Sequence, residues 1–363
     1  MKVDALTRDA STTAPLTPSR LIRVDKIASA TARLNLSEEV TIAEPAEPKI
    51  GDVVVVRTLT DSATYNQLEL TSGRLARLNP HDIVVGVLGR RRALKGFVGD
   101  VPARLGLGDR LHILNLGGVI GRCTGHHHEL GWPIEVELLG LVVRDGTTLN
   151  VAQGAIPRKT RLEGSAPLVL VAGTCMNSGK TQAATELIKH FTRHGYRVAA
   201  GKLSGIACLR DTLNMEDHGA VKTLSFLDCG YPSTVGIEDI TPIAKTIVAS
   251  LNEVSPDLIV LELGDGILGG YHVDSVFRDR EIMNACAALV FCANDFVGAW
   301  GGIQLLRQMG IGIDVMSGSA TDSQMGIEYI ERQFGIPAAN ALNGGERLFQ
   351  LVREKIAAWQ NSK

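Results

Sequence analysis

Through residues 21–150, short apolar runs alternate with turn residues. "IGDVVVVRTL" begins at Ile50, "HDIVVGVLG" at His81, "LGDRLHIL" at Leu107 and "IEVELLGLVV" at Ile134. Each is long enough for a strand and is bounded by residues that favour turns. In three of them a turn carrying Asp52, Asp82 or Asp109 leads into a β-branched or leucine-rich run, a faint repeat that turn-then-strand chemistry alone also produces. "LELTSGRLARL" from Leu68 reads as a hairpin with Gly73 in its tight turn. Helical periodicity is scarce, so this segment predicts a small β-barrel or sandwich. Residues 151–167 concentrate Gly, Pro and charge, as a linker does.

After the linker the rhythm changes. Apolar strands at 168–172, 197–201, 258–262, 288–293 and 313–317 alternate with helical stretches, and "GERLFQLVREKIAAW" puts Leu348, Leu351, Val352 and Ile356 on one helical face. Strands apolar throughout and separated by helices predict an α/β fold, a doubly wound, mostly parallel sheet covered on both sides. The expected organisation is a flexible tail (1–20), a smaller β-rich domain (21–150), a linker (151–167) and an α/β domain (168–363).

The 363 residues suit roughly two domains. With 37 Lys and Arg against 39 Asp and Glu, the formal charge is −2 and neither half is strongly basic. No general field draws the chain to nucleic acid or anionic lipid, and stacking platforms are few. A small-molecule partner fits better. Six scattered cysteines (Cys123, Cys175, Cys208, Cys229, Cys286 and Cys292) show no disulfide framework and read as reduced thiols, and no apolar stretch approaches the ~18 residues of a membrane span. The first twenty residues lack the apolar core of a signal peptide. A cytoplasmic location is expected.

The chemistry centres on "VLVAGTCMNSGKTQAATELIKHF", residues 169–191. A strand runs into Gly173-Thr174-Cys175-Met176-Asn177-Ser178-Gly179-Lys180-Thr181, and Ala183, Ala184, Leu187, Ile188 and Phe191 then mark one helical face. That is the setting of a phosphate-binding loop: amides at the helix start point at phosphate oxygens, Lys180 bridges the terminal phosphates and the Thr181 hydroxyl takes a place on Mg²⁺. Five residues separate Gly173 from Gly179, one more than the common spacing.

That longer loop resembles dethiobiotin synthetase, whose phosphate loop also has five residues between its glycines. "VAAGKLSGIA" at 198–207 is similar to the family's second strand, where a lysine followed by Ser-Gly contacts substrate; Lys202, Ser204 and Gly205 are the matching positions. "NMEDHGA" places Asp217 where the family has a magnesium-binding aspartate, and "PDLIVLELGDG" at 256–266 makes Glu262 the second acidic ligand. The likeness covers the C-terminal half. "SGSATD" stands where the family has a base-reading asparagine, and the family's Glu-Gly-x-Gly-Gly turn is replaced by Glu262-Leu263-Gly264-Asp265-Gly266, which adds Asp265 near the phosphates. The resemblance implies ATP as a substrate, Mg²⁺, a homodimer, and phosphorylation of a small carboxylate or carbamate before C–N bond formation or ring closure, with an amine or acid as the second partner.

The residues make physical sense without the family. A triphosphate brings about four negative charges, so Lys180 and loop amides need Mg²⁺, whose oxygen ligands would come from Thr181, Asp217 and Glu262. Asp211 and Glu216 lie close enough in sequence to compete with Asp217, and Asp265 also fits an ordinary turn. Lys202, at a strand end, would hold an acidic substrate against the γ-phosphate. A reading of a different class is a nucleotide switch or chaperone-like NTPase, with the N-terminal barrel as docking surface for a protein or metal-loaded partner. Two further clusters stay open. "CTGHHHELGW" (Cys123, His126, His127, His128, Glu129) reads as a solvated loop or a metal site, and "GRRRALKG" (Arg90, Arg91, Arg92, Lys95) as a solvated turn or as cations facing nucleotide or acidic substrate.

Overall fold

The computed structural model describes residues 19–45, 47–61 and 64–363. Val53, Val54, Val55 and Val56 are all buried, which one strand achieves only when both of its faces are covered. Their strand, Val53–Thr58, pairs antiparallel with Glu135–Arg144 and with Ile83–Leu88. Ile83–Leu88 runs parallel to Val119–His126, and Arg110–Ile113 lies antiparallel to both Val119–His126 and Glu135–Arg144. That circuit of five strands closes into a barrel, which removes the exposed edges. Val54 and Val56 point inward with Leu111, Ile120 and Leu138. Val53 and Val55 point outward, with Val85, Val87 and Val119, into a second apolar cluster.

The faint sequence repeat has a structural counterpart. The carboxylates of Asp52, Asp82 and Asp109 each accept the backbone N–H three residues earlier, from Lys49, Asn79 and Gly106 at 2.8, 2.6 and 2.9 Å. The residue before each aspartate (Gly51, His81 and Gly108) has positive φ. The same Asp-closed turn therefore launches three barrel strands. The hairpin of Gln67–Glu69 with Leu75–Arg77 forms as expected, with Gly73 at φ +80°.

The C-terminal sheet has six parallel strands in the spatial order Thr223–Ser225, Val198–Ser204, Leu258–Leu263, Leu168–Gly173, Cys286–Cys292, Val315–Ser317. Alternation along Leu168–Gly173 divides its side chains between two faces. Val169 and Val171 meet helices Lys180–Arg193 and Gly345–Asn361 through Leu187, Phe191 and Phe349. Leu168 and Leu170 meet helices Thr241–Asn252 and Phe296–Gln308 through Ile247, Leu251 and Ile303. The expected doubly wound layering is present. The edge strand Thr223–Ser225 is an addition.

The outward valines of the barrel belong to the same apolar cluster as Leu168, Leu203, Phe226 and Leu227, so the halves share a core. Strand Ser19–Arg23 pairs with Glu39–Ala43, so residues 19 and 20 belong to the sheet, and the rest of the expected tail lies outside the described residues. Residues 151–167 are tied down along their length: the N–H groups of Ile156, Lys159, Leu162 and Ala166 donate to Asp228, Thr246, Glu281 and Asn252 at 2.8–2.9 Å. No helix among the described residues is long and apolar enough to cross a membrane.

Candidate nucleotide and acceptor cleft

Ligands of doubly wound sheets gather beyond the carboxyl ends of the strands. There, a cleft of about 510 Å³ opens between the two halves. Its floor is the 173–181 loop. A Cβ on Gly173 would come within 2.5 Å of Ser178 Oγ and of the Cys292 carbonyl, and Asn177 and Gly179 take φ +63° and +94°, so the loop folds tightly before helix Lys180–Arg193 begins. Met176, Asn177, Gly179, Lys180, Thr181 and Gln182 line the cleft. Gly173, Thr174 and Ser178 shape the loop from behind: Thr174 N–H donates to the Cys292 carbonyl at 3.0 Å, and Ser178 is fully buried.

The Lys180 ammonium, only 5% exposed as a residue, curls back to donate to the Cys175 carbonyl (2.7 Å) and Ser178 Oγ (3.3 Å). Burial lowers its pKa, against the opposing pull of Glu262 and Asp265. Thr181 Oγ1 donates to Glu262 Oε1 at 2.9 Å, linking the first helical turn to the end of strand Leu258–Leu263. Glu262 is 2% exposed and its Oε2 has no hydrogen-bond partner.

Lys202 lies near the end of the neighbouring strand, Val198–Ser204. Its ammonium contacts Asp211 Oδ2 directly and lies 3.4 Å from Glu262 Oε1. Burial disfavours that charge, but Asp211 and Glu262 outweigh it and hold Lys202 above its ordinary value. Asp211 is depressed in turn, because Lys202 overcomes the burial that would raise it. Three of the expected residues thus converge: Thr181, Glu262 and Lys202.

Two do not. Asp217 closes helix Arg210–Asp217 at its exposed end, away from the lining; the acid that this helix presents to the cleft is Asp211, in its first turn. Ser204 is fully buried and its hydroxyl donates to the Gly264 carbonyl at 2.9 Å, so it fastens the 264–266 turn and leaves the lining to Gly205. Asp265 lines the cleft at φ +67°, its pKa raised by burial against the pull of Lys180.

The β-rich half also lines the cleft. Arg91 and Lys95 come from the cationic run, and Tyr65, Asn115 and Leu116 went unrecognised in the sequence. Asn115 staples the walls together, its amide donating to the Ala207 carbonyl at 2.7 Å. Gly318 packs on the 173–181 loop so closely that a Cβ would reach 2.2 Å from the Ser178 carbonyl; "SGSATD" is a structural brace there. Among the described residues no group of three or more His, Cys, Asp and Glu side chains could hold a metal, the 123–129 cluster included.

The donors at the cleft suit Mg²⁺: hard oxygens from Thr181, Glu262 and Asp211, one of them a buried carboxylate oxygen without a partner.

No family model matches the chain, and no curated protein matches it. Among solved structures it is similar to the signal recognition particle receptor FtsY of Elizabethkingia anophelis, at 14% identity and TM-score 0.37, over 54% of this chain and 65% of that one. It is similar to the cell division protein ftsY of Thermotoga maritima at 16% and 0.37, over 53% and 71%. A third is the 54 kDa signal recognition particle protein of Aeropyrum pernix K1, solved in complex with GDP, at 16% and 0.37, over 55% and 50%. The chain covers less than two thirds of the first of these. None of the three is a dethiobiotin synthetase, so that family gains no support from them, and a likeness this distant bears on neither nucleotide nor substrate.

Proposed function

We propose that this chain binds a nucleoside triphosphate with Mg²⁺ on the 173–181 loop and transfers its terminal phosphoryl group to a small acid held in the same cleft. The observation that carries this is the chain of contacts Thr181–Glu262–Lys202–Asp211, joining the start of the loop's helix to a buried ammonium on the adjacent strand. Thr181, Glu262 and Asp211 would hold Mg²⁺, which when bound offsets phosphate charge. Lys180 leaves the Cys175 carbonyl for the phosphates. Lys202 supports the developing charge and positions the acceptor oxygen, the two contributions phosphoryl transfer chiefly needs. The acceptor as a carboxylate or carbamate, closed later to an amide-like product, is the finer form of this reading.

The test is phosphate release by the full chain with MgATP and with MgGTP, alone and with small carboxylic acids and amines. Release should be near background until an acid is supplied, and Lys202→Ala should abolish the dependence. If calorimetry finds no uptake of either triphosphate, or if Lys180→Ala leaves uptake unchanged, the reading is wrong.

A nucleotide switch is the second reading. What favours it is that the segment carrying Asp211 is gripped by the barrel half: Glu69 accepts the Leu209 N–H at 2.6 Å, and Asn115 holds Ala207. Slow hydrolysis indifferent to small acids and stimulated by a protein would favour it.

A further inference from the structure

The arginine run divides its labour by strand alternation. Arg90 and Arg92 turn to Asp100, Arg92 bidentately at 2.7 and 2.8 Å. Arg91, between them, points the opposite way and lines the cleft. It is 4% exposed, its Nε is buried without a partner, and among the described residues no carboxylate pairs with it. A buried cation with no counter-charge is costly. The protein nonetheless fixes this one in place. Nη1 donates to the Leu114 carbonyl, and the rings of Tyr65 and Phe97 stand 5.9 and 5.8 Å from the guanidinium carbon. Room for the fork comes from Gly96, where a Cβ would lie 2.8 Å from Nη2. Lys95 adds a second cation on the same wall.

We propose that Arg91, assisted by Lys95, receives the oxyanion of the second substrate, a small molecule bearing a carboxylate or phosphate, so that acceptor specificity is set by the β-rich half. This rests on the phosphoryl-transfer reading above and names the substrate class for it. The phosphates of the nucleotide are served by the loop amides, Lys180 and Thr181 of the other half. Arg91 comes from the facing wall, where a planar, immobilised fork suits bidentate capture of a carboxylate or phosphate.

The experiment is calorimetry on the full chain with two probes, malonate and inorganic phosphate, each titrated with and without saturating Mg²⁺ and a non-hydrolysable ATP or GTP analogue. One probe should bind the unmodified chain, and which one does separates a carboxylate from a phosphate acceptor. Arg91→Met should weaken that binding at least tenfold and Lys95→Met several-fold, while triphosphate affinity changes less than twofold. Lys95 is exposed, so its variant provides a reading even if Arg91→Met fails to fold, and Arg91→Lys should fall between. The proposal is overturned if neither probe binds the unmodified chain, if the probe affinity survives both substitutions, or if Arg91→Met costs triphosphate binding as much as Lys180→Ala does. Arg91-dependent binding of a probe with no triphosphate uptake at all would sink the nucleotide reading and leave the oxyanion site standing.

Discussion

Replacing Lys202 by methionine keeps most of its volume and deletes its charge, stranding two carboxylates. With the ammonium 3.4 Å from Glu262, the gross attraction at an effective dielectric of ~20 is about 5 kcal/mol, and the direct contact with Asp211 adds to it. All three side chains are at most 15% exposed, so solvent screens the loss little. Removing one partner of a buried ion pair typically costs about 3–5 kcal/mol, and Lys202→Met should cost that in urea unfolding without metal. Asp211→Asn on the same background removes one stranded charge and should recover a third to a half of the loss, a coupling that a double-mutant cycle reads directly. Because the ammonium and Mg²⁺ compete for the same two carboxylates, Mg²⁺ alone should stabilise Lys202→Met more than the unmodified chain. Additive costs for the two substitutions, together with identical Mg²⁺ responses, would refute both the pairing and the assignment of these acids to the metal.

Asp265→Asn removes a half-buried carboxylate beside Lys180 and should tighten triphosphate binding several-fold by calorimetry; weaker binding would mean that Asp265 helps the ligand. Glu69 is fully buried and accepts from Leu209 N–H at 2.6 Å and from the Cys208 thiol at 3.2 Å. Glu69→Ala should therefore cost about 1–3 kcal/mol in denaturant unfolding, and Glu69→Gln, which keeps an acceptor, should recover most of it. Burial pushes the thiols of Cys208, Cys229, Cys286 and Cys292 up to about 12, from 9.0. A folded-state value above the unfolded one means the native chain holds these protons longer, so their contribution to stability is complete below pH 9 and lost between pH 9 and 12. Unfolding titrations across the window should show the decline, and native thiols should resist alkylation at pH 8.

Where the sequence pattern was long and one-directional, it was read correctly. The five expected strands of the parallel sheet lie within a few residues of those observed, because apolar runs between helices have few alternatives. Thr223–Ser225 was invisible: a three-residue edge strand carries no period. Glu262 and Lys202 were findable because strand ends deliver side chains to one place. Asp217 lies outside the lining because motif order fixes neither helix phase nor depth. It stands six positions after Asp211, which puts it about 9 Å further along the axis and about 120° away around the helix. Ser204 stays out of the lining for another reason: its hydroxyl is taken by a carbonyl sixty positions away. Arg91 could not be told from Arg90 and Arg92 until Asp100 was seen to claim the other two.

The contacts between the halves also bear on how the chain can act. Asp211 reaches the cleft on a segment whose backbone is fixed by two residues of the β-rich half, Asn115 at Ala207 and Glu69 at Leu209. Any change in what Asp211 holds, ammonium or metal, must therefore be absorbed by Lys202, which has side-chain freedom, before it can move the barrel, whose outward valines are locked into the shared apolar cluster. The two readings therefore differ in what must move: displacing one ammonium requires no backbone movement, whereas a switch transmits through the Glu69 and Asn115 bonds. Hydrogen exchange offers the decision. If the Leu209 amide stays as protected with Mg²⁺ and triphosphate bound as without them, the barrel serves as a fixed wall of an active site; if its protection collapses on loading, the barrel is reading the nucleotide state.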